Sequence, residues 1–197
     1  VLSAPNQWGP VEKATISYGY GLSVTPLQIA QAYAALSNNG IRVSPTFIKG
    51  GNVEKTQSVK PEVANQVMNM LEGVVTTEGT AIRASIKGYR VAGKTGTSRT
   101  AVAGGYEKKY ISLFAGVVPI ENPKFSMTVV IHEPTGSSYY GGLVSAPVFH
   151  NVMDGALRLM DVPPDQIELW YVDKINTAGK PDAVIEAKLP VLPEVTP

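Results

Sequence analysis

The stretch 111–118 constrains the fold of this chain more than any other. It reads Ile-Ser-Leu-Phe-Ala-Gly-Val-Val, and in a strand it would place apolar side chains on both faces, because successive side chains alternate between the two faces. A strand of this kind has to be covered on both sides. The sequence therefore predicts a central strand, in a sheet that is flanked by helices.

Two further stretches have the composition of strands and lie on either side of this one in the sequence. They are residues 91–98 and 125–132, and connections rich in Gly and Pro separate them from the central stretch. Because the three stretches follow one another directly, we expect an antiparallel meander.

A helix is predicted from Thr25, with Pro26 at its first position and Gln28 completing a capping box. Asn39 and Gly40 supply a left-handed stop. Apolar residues recur between them at helical spacing, at Ile29, Tyr33 and Leu36.

Two more helices are predicted from apolar periodicity. One begins near Pro61 and ends near the turn 76–79, and the other begins at Ser145 with Pro147 in its first turn. The first has its apolar stripe at Val63, Val67, Met70, Leu71 and Val74. The second helix is predicted to direct its apolar residues inward, and these are Phe149, Val152, Met153, Ala156, Leu157 and Met160.

These elements predict an α/β (α+β) fold of antiparallel strands with flanking helices, over residues 1–161, followed by a Pro-containing tail over 162–197. With 44% hydrophobic and 17% charged residues, the chain is one compact domain or a large piece of one. A net charge of +1 and the absence of basic runs argue against nucleic-acid binding.

The ends of the chain suggest a piece of a longer protein. It starts at Val1 without an initiator Met or a secretion pattern, and no apolar run approaches the roughly 20 residues that span a bilayer. We expect any export signal or anchor to lie outside this sequence.

The stretch from Gly88 to Thr95 matches the phosphate-loop pattern of a glycine, four free positions and Gly-Lys-Thr. That mechanism needs a buried strand before the loop and a helix that starts at the Lys-Thr pair. Residues 81–87 instead read as a short helix, and residues 96–105 do not favour a helix. A nucleotide hydrolase therefore remains a remote alternative.

As a strand, the same stretch has a different chemistry. Lys94 would lie opposite Thr95 and Thr97 in the pleat unless a local twist re-aims them. Gly93 and Gly96 would admit a neighbouring backbone or a bound peptide. A sheet edge of this type can pair with an extended peptide, while the lysine and a hydroxyl bind its anionic end.

Three segments carry a family resemblance. Residues 94–97, Lys-Thr-Gly-Thr, resemble the Lys-Thr-Gly box of the serine penicillin-recognising enzymes. Together with residues 17–28, 88–97 and 139–149, they resemble the division-specific class B penicillin-binding proteins of Gram-negative bacteria, the penicillin-binding protein 3 type. The resemblance extends from about Ser17 to Pro164.

The resemblance implies the C-terminal part of a penicillin-binding transpeptidase domain, with a serine β-lactamase-like fold, over residues 1–161. It implies a D,D-transpeptidase that forms a serine acyl-enzyme from D-Ala-D-Ala stem peptides of peptidoglycan and is a target of β-lactams. It further implies septal cell-wall synthesis at the periplasmic face of the inner membrane, with divisome proteins as partners and no cofactor.

The site residues follow by matching positions. The resemblance implies that the catalytic residues here are Lys94, Thr95, Gly96 and Thr97. Lys94 would supply positive charge, the hydroxyls of the two threonines would donate to the substrate carboxylate, and the Thr97 N–H would complete an oxyanion hole. The resemblance also implies an aromatic wall near the bound acyl group, although a half-buried aromatic pair before a helix would explain its two central members as well. The wall would comprise Tyr139 and Tyr140, with Tyr106 and Tyr110 as possible additions.

Two motifs of that family are missing. No serine of this chain has a lysine three positions later, and Ser37-Asn38-Asn39, which fits a Ser-x-Asn box, reads better as a helix cap. We therefore expect an upstream part of the same domain to supply the nucleophile, and the chain alone to neither fold nor bind penicillin covalently. A serine β-lactamase and a non-catalytic penicillin-binding sensor or scaffold stay open as alternatives. His132 and His150 lack the spacing of a metal site.

Overall fold

The computed structural model describes residues 6, 8–19, 21–102 and 105–166, without the side chains of 101, 102, 105 and 106. Two helices precede a pair of short strands, a third helix and a short 3-10 helix come next, and three longer strands lead to the last helix. In chain order the elements are α1 (Pro10–Ser17), α2 (Pro26–Ser37), β1 (Ile41–Val43), β2 (Lys55–Gln57), α3 (Pro61–Gly73), the 3-10 helix (Ile82–Ala84), β3 (Ala92–Val102), β4 (Gly105–Val118), β5 (Phe125–His132) and α4 (Gly141–Leu159).

The larger sheet is an antiparallel meander in the order β3-β4-β5. The prediction of a central strand at 111–118 is confirmed, since β4 pairs with β3 on one side and with β5 on the other. The register places Lys94 opposite Ala115. A separate two-stranded sheet joins β1 and β2.

Both faces of β4 are buried, as its composition predicts. On one face, Phe114 is fully buried and meets Phe149 of α4 edge-on, with ring centroids 4.9 Å apart. On the other face, Val117 packs in a second apolar cluster with Met68 of α3 and Tyr33 of α2. Helices therefore cover the sheet on both sides.

The predicted boundaries of α2 are confirmed. The Thr25 hydroxyl accepts from the Gln28 backbone N–H, and the Gln28 side chain accepts in return from the Thr25 N–H. Asn39 and Gly40 have φ angles of 53° and 78°, as a left-handed stop requires. Ser37-Asn38-Asn39 thus forms the end of this helix.

The predicted inward faces of α3 and α4 are partly wrong. Val63 and Met70 are 45% and 71% exposed, because α3 buries the narrower strip that contains Ala64 and Met68. On α4, the buried residues include Phe149, Met153 and Leu157, while two predicted inward residues, one on the helix and one directly after its end, are exposed. These two are Val152 and Met160.

The predicted start of α4 is also wrong. The helix begins at Gly141, so Pro147 lies inside it rather than in its first turn. Gly141 and Gly142 look like loop residues in the sequence, but they let the helix approach the sheet closely. A Cβ at Gly141 would lie 2.2 Å from the carbonyl oxygen of Leu113.

Residues after α4 attach to the start of β3. The Tyr89 hydroxyl donates to the Val162 carbonyl over 2.6 Å. The Asp165 carboxylate accepts from the backbone N–H groups of Arg90 and Ile120 over 2.8 and 3.0 Å. The rest of the predicted tail, residues 167–197, lies outside the described residues, and its boundary stays a prediction. Within the described ranges, no helix has the length and apolar character to cross a membrane.

Candidate active site

Strand β3 places the predicted site residues along one edge of the sheet. Among the described residues it pairs on one side only, with β4. Lys94 and Thr97 are exposed, and Thr95 is half-buried. The edge therefore presents an ammonium group and two hydroxyls to the surroundings.

The two glycines of this stretch differ in what they accommodate. A Cβ at Gly93 would lie 2.4 Å from Cζ of Phe114 and 2.7 Å from the carbonyl oxygen of Ala115, so the predicted close approach of a neighbouring backbone is confirmed there. A Cβ at Gly96 would meet its nearest neighbour, Leu113, at an ordinary 3.4 Å. Packing within the described chain thus requires glycine at the first position but not at the second.

The Lys94 ammonium lies beside Thr95, although strict alternation along a strand would put the two side chains on opposite faces. Its Nζ is 3.0 Å from the carbonyl oxygen of Thr95 and 3.3 Å from Thr95 Oγ1. The long and flexible lysine side chain thus brings the cation to the hydroxyl of its neighbour.

The Thr97 hydroxyl contacts the start of α4. The Gly141 N–H donates to Thr97 Oγ1 over 3.1 Å. The N-terminus of a helix carries a partial positive charge, since its first N–H groups have no partner within the helix. The contact uses one of these groups and fixes the start of α4 next to β3.

Thr80 belongs to the same group of side chains, and sequence reasoning missed it. Its Oγ1 lies 3.1 Å from Thr95 Oγ1, although the two residues are 15 positions apart. It sits in the turn region between α3 and the 3-10 helix, where no periodic pattern draws attention to it. The turn requires glycine just before it, since a Cβ at Gly79 would lie 2.2 Å from the carbonyl oxygen of Val74.

Three of the four predicted aromatic residues have described side chains, and these three form a stack. Tyr110 and Tyr139 are stacked, with centroids 3.8 Å apart and planes at 11°. Tyr140 continues the group, with a centroid distance of 4.6 Å to Tyr139 and 3.5 Å between their hydroxyls. The interaction between those hydroxyls raises the pKa of Tyr139 above its usual value. Arg99 lies 5.7 Å from the Tyr110 centroid, within cation–π range.

A buried serine anchors this stack. The Ser112 hydroxyl, which is fully buried, donates to the backbone carbonyl of Tyr139. Tyr106 lies on β4, but its side chain is outside the described part of the chain. The structure therefore brings Tyr110, Tyr139 and Tyr140 together beside the middle of β4, where the start of α4 packs.

This arrangement suits the binding of an anionic peptide end better than nucleotide or metal chemistry. The Lys-Thr pair lies within a strand that continues to Val102, whereas a phosphate loop needs a helix at that point. Over the described ranges, no group of three His, Cys, Asp or Glu side chains could hold a metal ion. An ammonium group and hydroxyls can instead all donate hydrogen bonds to a carboxylate.

Comparison with known proteins gives a consistent result. The family model described as "Penicillin binding protein transpeptidase domain" matches residues 3–154. The chain is 44% identical over 163 residues to the Peptidoglycan D,D-transpeptidase FtsI of Escherichia coli K12. This match covers 82% of the chain and 28% of that protein. The chain is also 38% identical over 164 residues to the Probable peptidoglycan D,D-transpeptidase PbpC of Pseudomonas aeruginosa, and that match covers 82% of the chain and 29% of the relative.

Solved structures agree with the fold. The apo TP domain of penicillin-binding protein 3 from Burkholderia pseudomallei superimposes with a TM-score of 0.77 at 38% identity. This match covers 84% of the chain and 51% of that structure. The chain thus spans about half of that solved domain and between a quarter and a third of the two curated relatives named above.

Proposed function

Because this chain belongs to the penicillin-binding protein transpeptidase domain family, we propose that it supplies the substrate-binding strand of a peptidoglycan D,D-transpeptidase. The observation that carries the proposal is the edge of β3, where Lys94 Nζ and Thr95 Oγ1 lie 3.3 Å apart beside Thr97. This edge offers a cation and two hydroxyls to a peptide's terminal carboxylate.

The proposed reaction is an acyl transfer in two steps. A serine hydroxyl attacks the carbonyl carbon of the penultimate D-alanine, the peptide bond breaks, and the last D-alanine leaves with a proton on its amine. An amine of a neighbouring stem peptide then attacks the ester, forms a new amide and releases the serine. No serine of this chain has the Ser-x-x-Lys spacing, so in the proposal a further segment of the same domain carries the nucleophile.

In this reaction β3 binds the substrate and stabilises charge. An extended peptide would lie along the unpaired side of the strand, and its carboxylate would accept from the hydroxyls of Thr95 and Thr97. The Lys94 ammonium would lie beside both the carboxylate and the nucleophile. The N–H of Thr97 would donate to the oxyanion, a type of contact whose loss costs about 3 kcal/mol in comparable sites.

β-Lactams would use the same groups, because their carboxylate and reactive carbonyl resemble those of the D-Ala-D-Ala end. The stack of Tyr110, Tyr139 and Tyr140 would form a wall beside the acyl group. A septal role, a location at the periplasmic face of the inner membrane and divisome partners are also part of the proposal. Their support is the likeness to a protein named FtsI.

The experiment uses the intact transpeptidase domain, that is, this chain together with its serine-bearing portion. We expect a fluorescent penicillin to label the wild-type domain covalently, and the acyl-enzyme to hydrolyse slowly. Lys94→Ala should abolish acylation and leave the thermal stability nearly unchanged. The expectation of unchanged stability follows from the exposure of Lys94, whose side-chain bonds go only to the adjacent residue among the described ones. Lys55→Ala is the control, because Lys55 is also an exposed strand lysine but lies in the other sheet.

Two outcomes would contradict the proposal. A Lys94→Ala domain that acylates at the wild-type rate removes this residue from the mechanism. Rapid hydrolysis of the acyl-enzyme would assign the domain to the β-lactamases instead, since these share the strand but turn over the adduct.

A further inference from the structure

The Thr95 hydroxyl has one proton to donate and two lone pairs that can accept. Lys94 Nζ, 3.3 Å away, can only donate, so it occupies one lone pair. The Thr80 hydroxyl, 3.1 Å away, can either donate or accept. Its choice decides where the proton of Thr95 points.

A carboxylate can only accept hydrogen bonds, so it needs the proton of Thr95. If Thr80 accepted that proton, the carboxylate would meet a lone pair. If Thr80 donates instead, both lone pairs of Thr95 are occupied and its single proton is left for the ligand. Donation from behind also polarises the hydroxyl and strengthens the bond it gives to an anion.

Thr97 has the same arrangement with a backbone donor. The Gly141 N–H, which can only donate, occupies a lone pair of Thr97 Oγ1 over 3.1 Å. The Thr97 proton therefore remains available for a ligand. The two hydroxyls that face a carboxylate each have a donor behind them. Behind Thr95 this donor would be the side chain of Thr80, which can be mutated.

The backbone holds Thr80 firmly in place. A Cβ at Gly142 would lie 2.1 Å from the carbonyl oxygen of Thr80, so the start of α4 packs directly against it. On either side of Thr80, the N–H of Gly79 donates to Thr76 and the N–H of Ala81 donates to Val74, each over 3.0 Å. The exposed side chain of Thr80 thus projects from a fixed backbone towards Thr95.

We propose that Thr80 is a positioning residue of this site, whose hydroxyl donates to Thr95 Oγ1 and thereby directs the Thr95 proton to the carboxylate of a stem peptide or β-lactam. The inference rests on the proposed function. It adds a residue whose side chain, among the described residues, reaches the site through Thr95.

The test compares Thr80→Val with Thr80→Ser in the intact domain, using the second-order rate of acylation by a penicillin. Losing one neutral hydrogen bond should cost Thr80→Val about five- to tenfold in rate, which is about 1.0–1.4 kcal/mol at 1.36 kcal/mol per tenfold. Thr80→Ser keeps the hydroxyl and should stay within about twofold of wild type. Thr77→Val is the matched control, since Thr77 is exposed nearby and its hydroxyl makes no bond to β3 among the described residues.

Two further readouts separate positioning from a general structural effect. Esterifying the penicillin carboxylate should cost wild type about five- to tenfold more in rate than it costs Thr80→Val, because the ester no longer presents the anion that the aligned proton serves. In a double-mutant cycle, Thr80→Val should add nothing to the loss caused by Thr95→Val. Thr80→Ala repeats the measurements if the valine variant does not fold.

The proposal is overturned if Thr80→Val acylates like wild type, if acid and ester lose rate equally, or if the losses at Thr80 and Thr95 add. These outcomes differ from a failure of the proposed function, in which the wild-type domain itself is not acylated by penicillin.

Discussion

Replacing Gly93 by alanine tests whether β3 lies directly on the hydrophobic core. The new Cβ would be 2.4 Å from Cζ of Phe114 and 2.7 Å from the carbonyl oxygen of Ala115. Neither atom can move away easily, because Ala115 belongs to the central strand and the Phe114 ring is fully buried against Phe149. The substitution therefore forces the strand or the ring to shift.

Overpacking a well-packed core costs about 1–3 kcal/mol, and this contact is shorter than real Cβ contacts. Alanine also restricts the unfolded chain, which offsets roughly 0.4–1 kcal/mol of the cost. We therefore expect the free energy of unfolding of the intact domain to fall by about 2 kcal/mol. Urea denaturation followed by circular dichroism measures this quantity.

Gly96→Ala in the same strand is the control. Its Cβ would lie 3.4 Å from the nearest atom of Leu113, which is an ordinary contact, so we expect a change within about 0.5 kcal/mol. Equal stability of the Gly93→Ala and Gly96→Ala domains would refute the reasoning, because the packing of β3 on Phe114 would then not distinguish the two positions.

Two further predictions concern the start of β3. Asp165→Ala should lower the free energy of unfolding by about 2 kcal/mol, because the carboxylate accepts from the N–H groups of Arg90 and Ile120. Urea denaturation measures this change, and a variant as stable as wild type would contradict it. Burial raises the pKa of Tyr89, so the stability that its neutral hydroxyl contributes is fully present below the ordinary tyrosine pKa near 10 and is lost as the pH rises through the raised value. The wild-type domain should therefore lose more stability between pH 9 and 12 than Tyr89→Phe, and equal alkaline losses would contradict a raised pKa of Tyr89.

Local signals predicted those parts of the fold that local chemistry determines. The capping box at Thr25 and the stop at Asn39 and Gly40 involve neighbouring residues, so the sequence shows them directly. The start of α4 depends instead on how closely Gly141 can approach β4, which is a tertiary contact. For the same reason, periodicity alone put Met70 on the wrong face of α3.

The candidate site shows the same division. Lys94, Thr95 and Thr97 are adjacent in the sequence, and the Lys-Thr-Gly pattern identified them together. The position of the Lys94 ammonium beside Thr95 depends on side-chain flexibility that strand alternation does not include. Thr80 reaches the site only through the folded turn after α3, so no sequence spacing could reveal it.

In the proposed function, the edge of β3 binds the carboxylate of an acylating ligand. The crystal structure of the intact domain after reaction with a penicillin tests it most directly. We predict that the adduct's carboxylate lies within hydrogen-bond distance of Thr95 Oγ1 and Thr97 Oγ1, with the Thr97 N–H on the carbonyl oxygen. An adduct whose carboxylate points away from β3 and is held by other residues would contradict the claim.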